Sequence, residues 1–160
     1  MKNNSEYQWD VYESTPPMPT YVLAIAVFFN HASTGKDITN KINKTTTIGA
    51  WISSDDSKNV NITRVVERTA DIINFYEEFF DKENILPKID SLEIWGNDDQ
   101  FGGMEHWGLT TYYKRENPEY WPPLIVKKFI HDGMNNFQVL THECAHYWIG
   151  NSVTCRNWNE

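Results

Sequence analysis

Apolar and polar positions follow different rhythms along this chain. Val65, Val66, Ala70, Ile72, Ile73, Phe75, Tyr76 and Phe79 recur every three or four residues, the spacing that lines one face of a helix. An amphipathic helix covering a core is therefore expected over Arg64–Phe80. Thr20–Phe29 is instead almost continuously apolar and β-prone, and it follows Pro16, Pro17 and Pro19; this predicts a buried strand. The polar stretch from Asn30 to Lys44 reads as a loop, while Thr45–Ile52 and Pro87–Trp95 read as further strands. Ser53-Ser54-Asp55-Asp56-Ser57 marks the best internal boundary. No repeat, low-complexity tract or long flexible linker interrupts these elements.

A last helix is expected from Asn136 to Ile149, where Phe137, Val139, Leu140, Ala145, Trp148 and Ile149 place apolar groups around His142-Glu143-Cys144-Ala145-His146. Gly150-Asn151 supplies its stop. Positions 142 and 146 share one helical face, so both imidazoles reach one metal ion and Glu143 reaches a metal-bound water. This is the pattern of a hydrolytic zinc site. A pattern set at three of five positions also describes a solvated His/Glu face, although the apolar surroundings favour a half-buried helix at a cleft floor.

Composition narrows the class. The chain has 160 residues, 40% hydrophobic and 14% aromatic, enough for one compact domain or parts of two. A net charge of -8 without a basic run excludes a nucleic-acid surface, and an acidic cleft suits a cationic substrate group. No stretch approaches a membrane span, and no signal-peptide apolar region follows Met1-Lys2-Asn3-Asn4-Ser5; the chain as given reads as soluble, with its compartment open. Two cysteines define no disulfide framework. Cys144 sits about 200° around the helix from His142, so it reads as a small core residue rather than a ligand. Cys155 reads as a free thiol. Sequons at Asn3, Asn43 and Asn61 arise easily in an Asn-rich sequence.

The second constellation is Gly102-Gly103-Met104-Glu105-His106-Trp107-Gly108-Leu109. Glycines let backbone approach a ligand closely, and Glu105 offers a carboxylate suited to an ammonium group. The same residues also describe a glycine turn leading into a strand over Leu109–Tyr113.

Together the two runs resemble the membrane alanyl aminopeptidase (aminopeptidase N) family of zinc metallopeptidases. That family carries Gly-x-Met-Glu-Asn-Trp-Gly ahead of His-Glu-x-x-His-x-Trp-x-Gly-Asn. Gly102–Gly108 and His142–Asn151 match in order, and Val153-Thr154 and Trp158-Asn159 follow in similar register. Thr15–Tyr21 resembles the last strands of the family's N-terminal β-domain. The resemblance implies an α+β fold: the end of a β-sheet-rich N-terminal domain over residues 1–56, then the first half of a thermolysin-like catalytic domain over 57–160. It also implies a zinc metalloaminopeptidase that removes residues from peptides with a free N-terminus. His142 and His146 would be zinc ligands and Glu143 the catalytic base. Glu105 would bind the α-amine, with Gly102, Gly103 and Met104 aligning the substrate.

Departures from that pattern matter. The family's third zinc ligand, a glutamate nineteen positions after the second histidine, and its oxyanion tyrosine fall beyond Glu160, so the 160-residue polypeptide is expected to be inactive by itself. An incomplete domain is expected to expose core surface and self-associate. His106 stands where the family usually has Asn, and Cys144 where leucine is usual. A protonated His106 would oppose a cationic N-terminus. A non-catalytic peptide-binding paralogue and a zinc endopeptidase of similar fold are the alternatives. Stoichiometric peptide binding without turnover would mark the first, and cleavage of N-terminally blocked peptides the second.

Overall fold

The computed structural model describes residues 9–57, 61–95, 102–114, 138–157 and 159. The helix start expected at Asn136, the positions of Trp158 and Glu160, and the Asn3 sequon lie outside these residues.

Among the described residues five strands form one sheet: β1 (His31–Thr39), β2 (Thr45–Ser53), β3 (Lys88–Trp95), β4 (Gly103–Met104) and β5 (Leu109–Lys114). Their order is β1-β2-β3-β5-β4, with antiparallel pairing at both ends and parallel pairing of β3 with β2 and β5. Parallel neighbours require a crossover. Between β2 and β3 that crossover contains the single turn α1 (Ser54–Ser57) and the long helix α2 (Ile62–Phe79). Asn61 caps α2 by accepting from the Arg64 N–H, satisfying one of the donors a helix N-terminus leaves free. Val65, Val66, Ala70 and Ile73 then face the sheet. Fully burying a side chain such as Ile73 contributes about 1.5–3 kcal/mol, and this stripe holds α2 against Ile48, Ala50 and Ile89. The mixed sheet and helices are α+β, as the sequence implies.

Two expectations fail at the start of the chain. Thr20–Phe29 is not a buried strand. Thr20–Val22 forms a single 3-10 turn and the rest of the run pairs with no strand, leaving Ile25, Val27 and Phe29 at 87%, 95% and 90% exposure. The polar stretch after it is not a loop, because His31–Thr39 pairs along its whole length with β2. The reason is edge availability. A five-residue connection folds β1 straight back onto β2, aided by Asn40, whose side chain accepts from the Ile42 and Lys44 N–H groups. β3 takes the other edge of β2, so the apolar run finds no edge on that strand.

The boundary expected at residues 53–57 falls between β2 and α2, and the sheet and core join both of its sides. The last helix among the described residues, α3 (Gln138–Ala145), ends before the Ile149 expected. Turn-type bonds from Tyr147 to the Cys144 carbonyl and from Trp148 to that of Ala145 tighten its end. Gly150 then reverses the chain at φ 117°, the left-handed conformation that favours glycine. Leu140, Cys144, Tyr147 and Trp148 join the core, and the Trp148 indole N–H donates to the Lys82 carbonyl. Among the described residues no helix is long and apolar enough to cross a membrane.

Candidate functional site

The site begins with the pitch of α3. Leu140 and Cys144, four apart, turn into the core, and His142 is thereby presented on the open side. Cys144 is buried there, which raises its thiol well above the ordinary range; it faces away from the histidines, as its angular position predicts. His146 lies just past the last helical residue, its N–H still bonded to the His142 carbonyl. The two Nε2 atoms stand 3.1 Å apart, with the rings nearly perpendicular at 88°.

That spacing fits a metal ion. Two nitrogens at about 2.0–2.1 Å from zinc, separated by a tetrahedral angle, lie roughly 3.3 Å apart. His146 Nδ1 meets the Ile149 carbonyl at 2.9 Å. An N–H there fixes the tautomer and leaves the Nε2 lone pair for a metal.

Glu143 occupies the opposite kind of environment, at 3% exposure. Burial, and secondarily the negative charge of Glu105, pushes its carboxyl up to about 8. Strand β4 passes directly over it. A Cβ on Gly103 would lie 2.7 Å from Glu143 Oε1, so any side chain there requires the glutamate to shift. Gly102 precedes it at φ 69°, with its carbonyl accepting from the Tyr113 N–H. Gly103 therefore serves close approach, here to a carboxylate of the same chain. Met104, half-buried, pairs with Thr111.

Glu105 follows, half-buried. Ligand atoms of Glu105, Glu143 and His146 all lie within 4.8 Å of one another. Among the described residues, no ion pair involves either carboxylate. Two adjacent carboxylates without a paired cation, beside two imidazoles, make a site suited to a metal ion or an ammonium group. The structure thus brings together His142, Glu143, His146, Glu105, Gly102, Gly103 and Met104, from α3 with the residue after it and from β4 with the residues flanking it. His106, beside them, is shifted down by burial, against the opposing influence of Glu105, which favours its neutral form.

Two further residues tie the halves together. Asn151 is buried; its side-chain N–H donates to the Glu105 carbonyl at 2.9 Å and its backbone N–H to the His146 carbonyl at 3.0 Å. Tyr21 reaches the same loop, its hydroxyl donating to the Gly150 carbonyl at 3.1 Å. Tyr21 lies 129 residues from its partner, so no local periodicity points to it. For Asn151 the signal was its place in the motif, without the bond it makes.

A mixed sheet crossed by helices, with a helical histidine pair enclosing a buried glutamate, defines a metallohydrolase type of site. Residues 64–160 match the "Peptidase family M1 domain". Bovine (Bos taurus) "Endoplasmic reticulum aminopeptidase 2" is 33% identical over 153 residues, covering 94% of this chain and 14% of that protein. Human (Homo sapiens) "Aminopeptidase N" is 33% identical over 155 residues, covering 95% and 15%. Rat (Rattus norvegicus) "Glutamyl aminopeptidase" is 30% identical over 159 residues, covering 98% and 15%. The chain belongs to peptidase family M1, in agreement with the resemblance carried by its two motifs. It spans about a seventh of the length of these curated relatives.

Proposed function

We propose that this chain carries the amine-recognition and water-activating part of a zinc aminopeptidase that removes single residues from peptide N-termini. The observation that carries the reading is the convergence of two imidazole nitrogens at 3.1 Å with two carboxylates that share one 4.8 Å cluster with His146. His142 and His146 would hold zinc through Nε2. Zinc bound there supplies Lewis acidity toward the scissile carbonyl and the attacking water. Glu143 takes a proton from that water and passes it to the leaving amine, a role suited to a carboxyl poised near neutral pH. Glu105 pairs with the substrate's α-ammonium group. Gly102, Gly103 and Met104, at the sheet edge beside Glu143, offer backbone groups to the peptide. Half-buried His106, favoured as neutral, sets no positive charge against that amine.

The test is zinc titration of the 160-residue chain and of His146→Ala, with turnover of an aminoacyl reporter and of its N-blocked counterpart. Zinc binding lost in the variant, with any turnover confined to the free-amine reporter, supports the reading. Zinc binding unchanged in His146→Ala sinks it, and cleavage of the blocked reporter redirects it to an endopeptidase. The exposed run Leu23–Phe29 is the candidate surface for self-association, which sedimentation across a concentration series measures.

A further inference from the structure

We propose that Tyr21 is a positioning residue of this site: it holds the Gly150–Asn151 peptide, and through the Gly150 joint it steadies the Ile149 carbonyl against which the imidazole of His146 is oriented. The inference rests on the reading of His146 as a metal ligand and adds a residue from the opposite end of the chain.

Gly150 is the joint in question. At φ 117° it has the freedom of a glycine in the left-handed region, and the peptides on both sides of it touch the site. The preceding one contributes the Ile149 carbonyl that meets His146 Nδ1 at 2.9 Å. The following one contributes the Asn151 N–H that donates to the His146 carbonyl at 3.0 Å. A Cβ placed on Gly150 would lie 3.3 Å from His146 Nδ1 and 3.5 Å from the Tyr21 hydroxyl. Tyrosine, glycine and imidazole are therefore packed together.

Most restraints on this joint are local. The Gly150 N–H donates to the Val153 carbonyl, and the Thr154 hydroxyl donates to the Gly150 carbonyl at 2.6 Å. Both partners belong to the same short loop and move with it. Tyr21 differs, because its turn is fastened elsewhere. Val22 is buried and its carbonyl accepts from the Trp107 N–H at 3.0 Å; the Tyr21 carbonyl accepts from the His106 ring. Those two donors directly follow Glu105 in the chain. The 3-10 turn thus spans the Glu105 segment and the His146 loop, and the Tyr21 hydroxyl is the bond by which it reaches the latter.

The test compares the full chain with Tyr21→Phe, which keeps the ring and removes the donor. Long-range nitrogen-15 spectra at a pH where the ring is neutral report the tautomer of His146, and amide exchange reports the Asn151 N–H. In the parent chain His146 is expected as the Nδ1–H tautomer. In Tyr21→Phe a mixture of tautomers is expected, with Asn151 exchange about five- to tenfold faster, the loss of one ordinary hydrogen bond, and unchanged protection in β2 and α2. An unchanged tautomer and unchanged Asn151 exchange overturn the proposal. So does a uniform loss of protection across β2 and α2, which makes Tyr21 a stability residue. Neither readout needs metal. Zinc titration of both proteins stands apart: a parent chain that binds no zinc defeats the metal reading while the tautomer comparison still decides the role of Tyr21.

Discussion

Helix α3 and the strand segment Gly102–Gly108 build the same site by different means. In α3 the pitch of the helix is sufficient: residues four apart share a face, and the His142 and His146 nitrogens converge at 3.1 Å. The glycine segment has no such internal logic. Its Glu105 approaches Glu143 because β4 pairs with β5, because Gly103 admits the glutamate side chain, and because Asn151 grips the Glu105 carbonyl. One half of the site is local geometry, whereas the other half is packing. Changes in α3 should therefore remove chemistry and leave the fold intact, while changes in the glycine segment should disturb both.

The sharpest contrast is expected at Glu143. Glu143→Gln keeps the shape and removes the base, so whatever turnover of an aminoacyl reporter the parent supports should fall by about 10²–10⁴-fold with zinc binding retained. Loss of zinc together with activity would show that the carboxylate holds the metal instead. Gly103→Ala comes next. Its Cβ would sit 2.7 Å from Glu143 Oε1, and forcing the neighbours apart should cost about 1–3 kcal/mol in a denaturant melt. A melt indistinguishable from the parent would mean that β4 is free to shift, and the comparison would collapse.

A smaller effect is expected at Asn151. Asn151→Ala removes the bond to the Glu105 carbonyl and should cost about 1 kcal/mol of stability, with peptide binding weakened more than zinc binding. Equal losses of both would place Asn151 in α3's half of the site. The last contrast is the pH slope. The Glu143 carboxyl is raised from about 4.5 to about 8 in the folded chain, so the folded state holds its proton more tightly than the unfolded state. The cost of ionising it is absent below about 4.5, grows as pH rises, and is complete above about 8. Metal-free stability should decline across that window in thermal melts, and Glu143→Gln should flatten the decline; identical slopes would refute the buried carboxylate.

Legibility differed between strands as well. β2 and β3 were readable because they are apolar and β-prone and lie against helices, where composition and burial agree. Composition misleads at Thr20–Phe29 and His31–Thr39. The first has strand composition without a strand partner, and the second has loop composition with a partner along its full length. A strand exists when its N–H and C=O groups are paired, and a polar segment five residues from an open edge meets that condition more readily than an apolar one without an edge. The end of α3 shows the same limit. Periodicity extends the helix to Ile149, while the turn-type bonds of Tyr147 and Trp148 end it at Ala145.

Short-range rules were enough to determine α2, the histidine face of α3, the left-handed stop at Gly150 and the inward-facing Cys144, because helical pitch and glycine's lack of a side chain act over a few residues. Sequence motifs were enough to determine the family. Tertiary structure decided the order of the strands, the burial that raises Glu143, the meeting of Glu105 with Glu143 and the reach of Tyr21 to Gly150. Each of these depends on which surfaces are already occupied when two distant segments meet, and that is a property of the packed molecule.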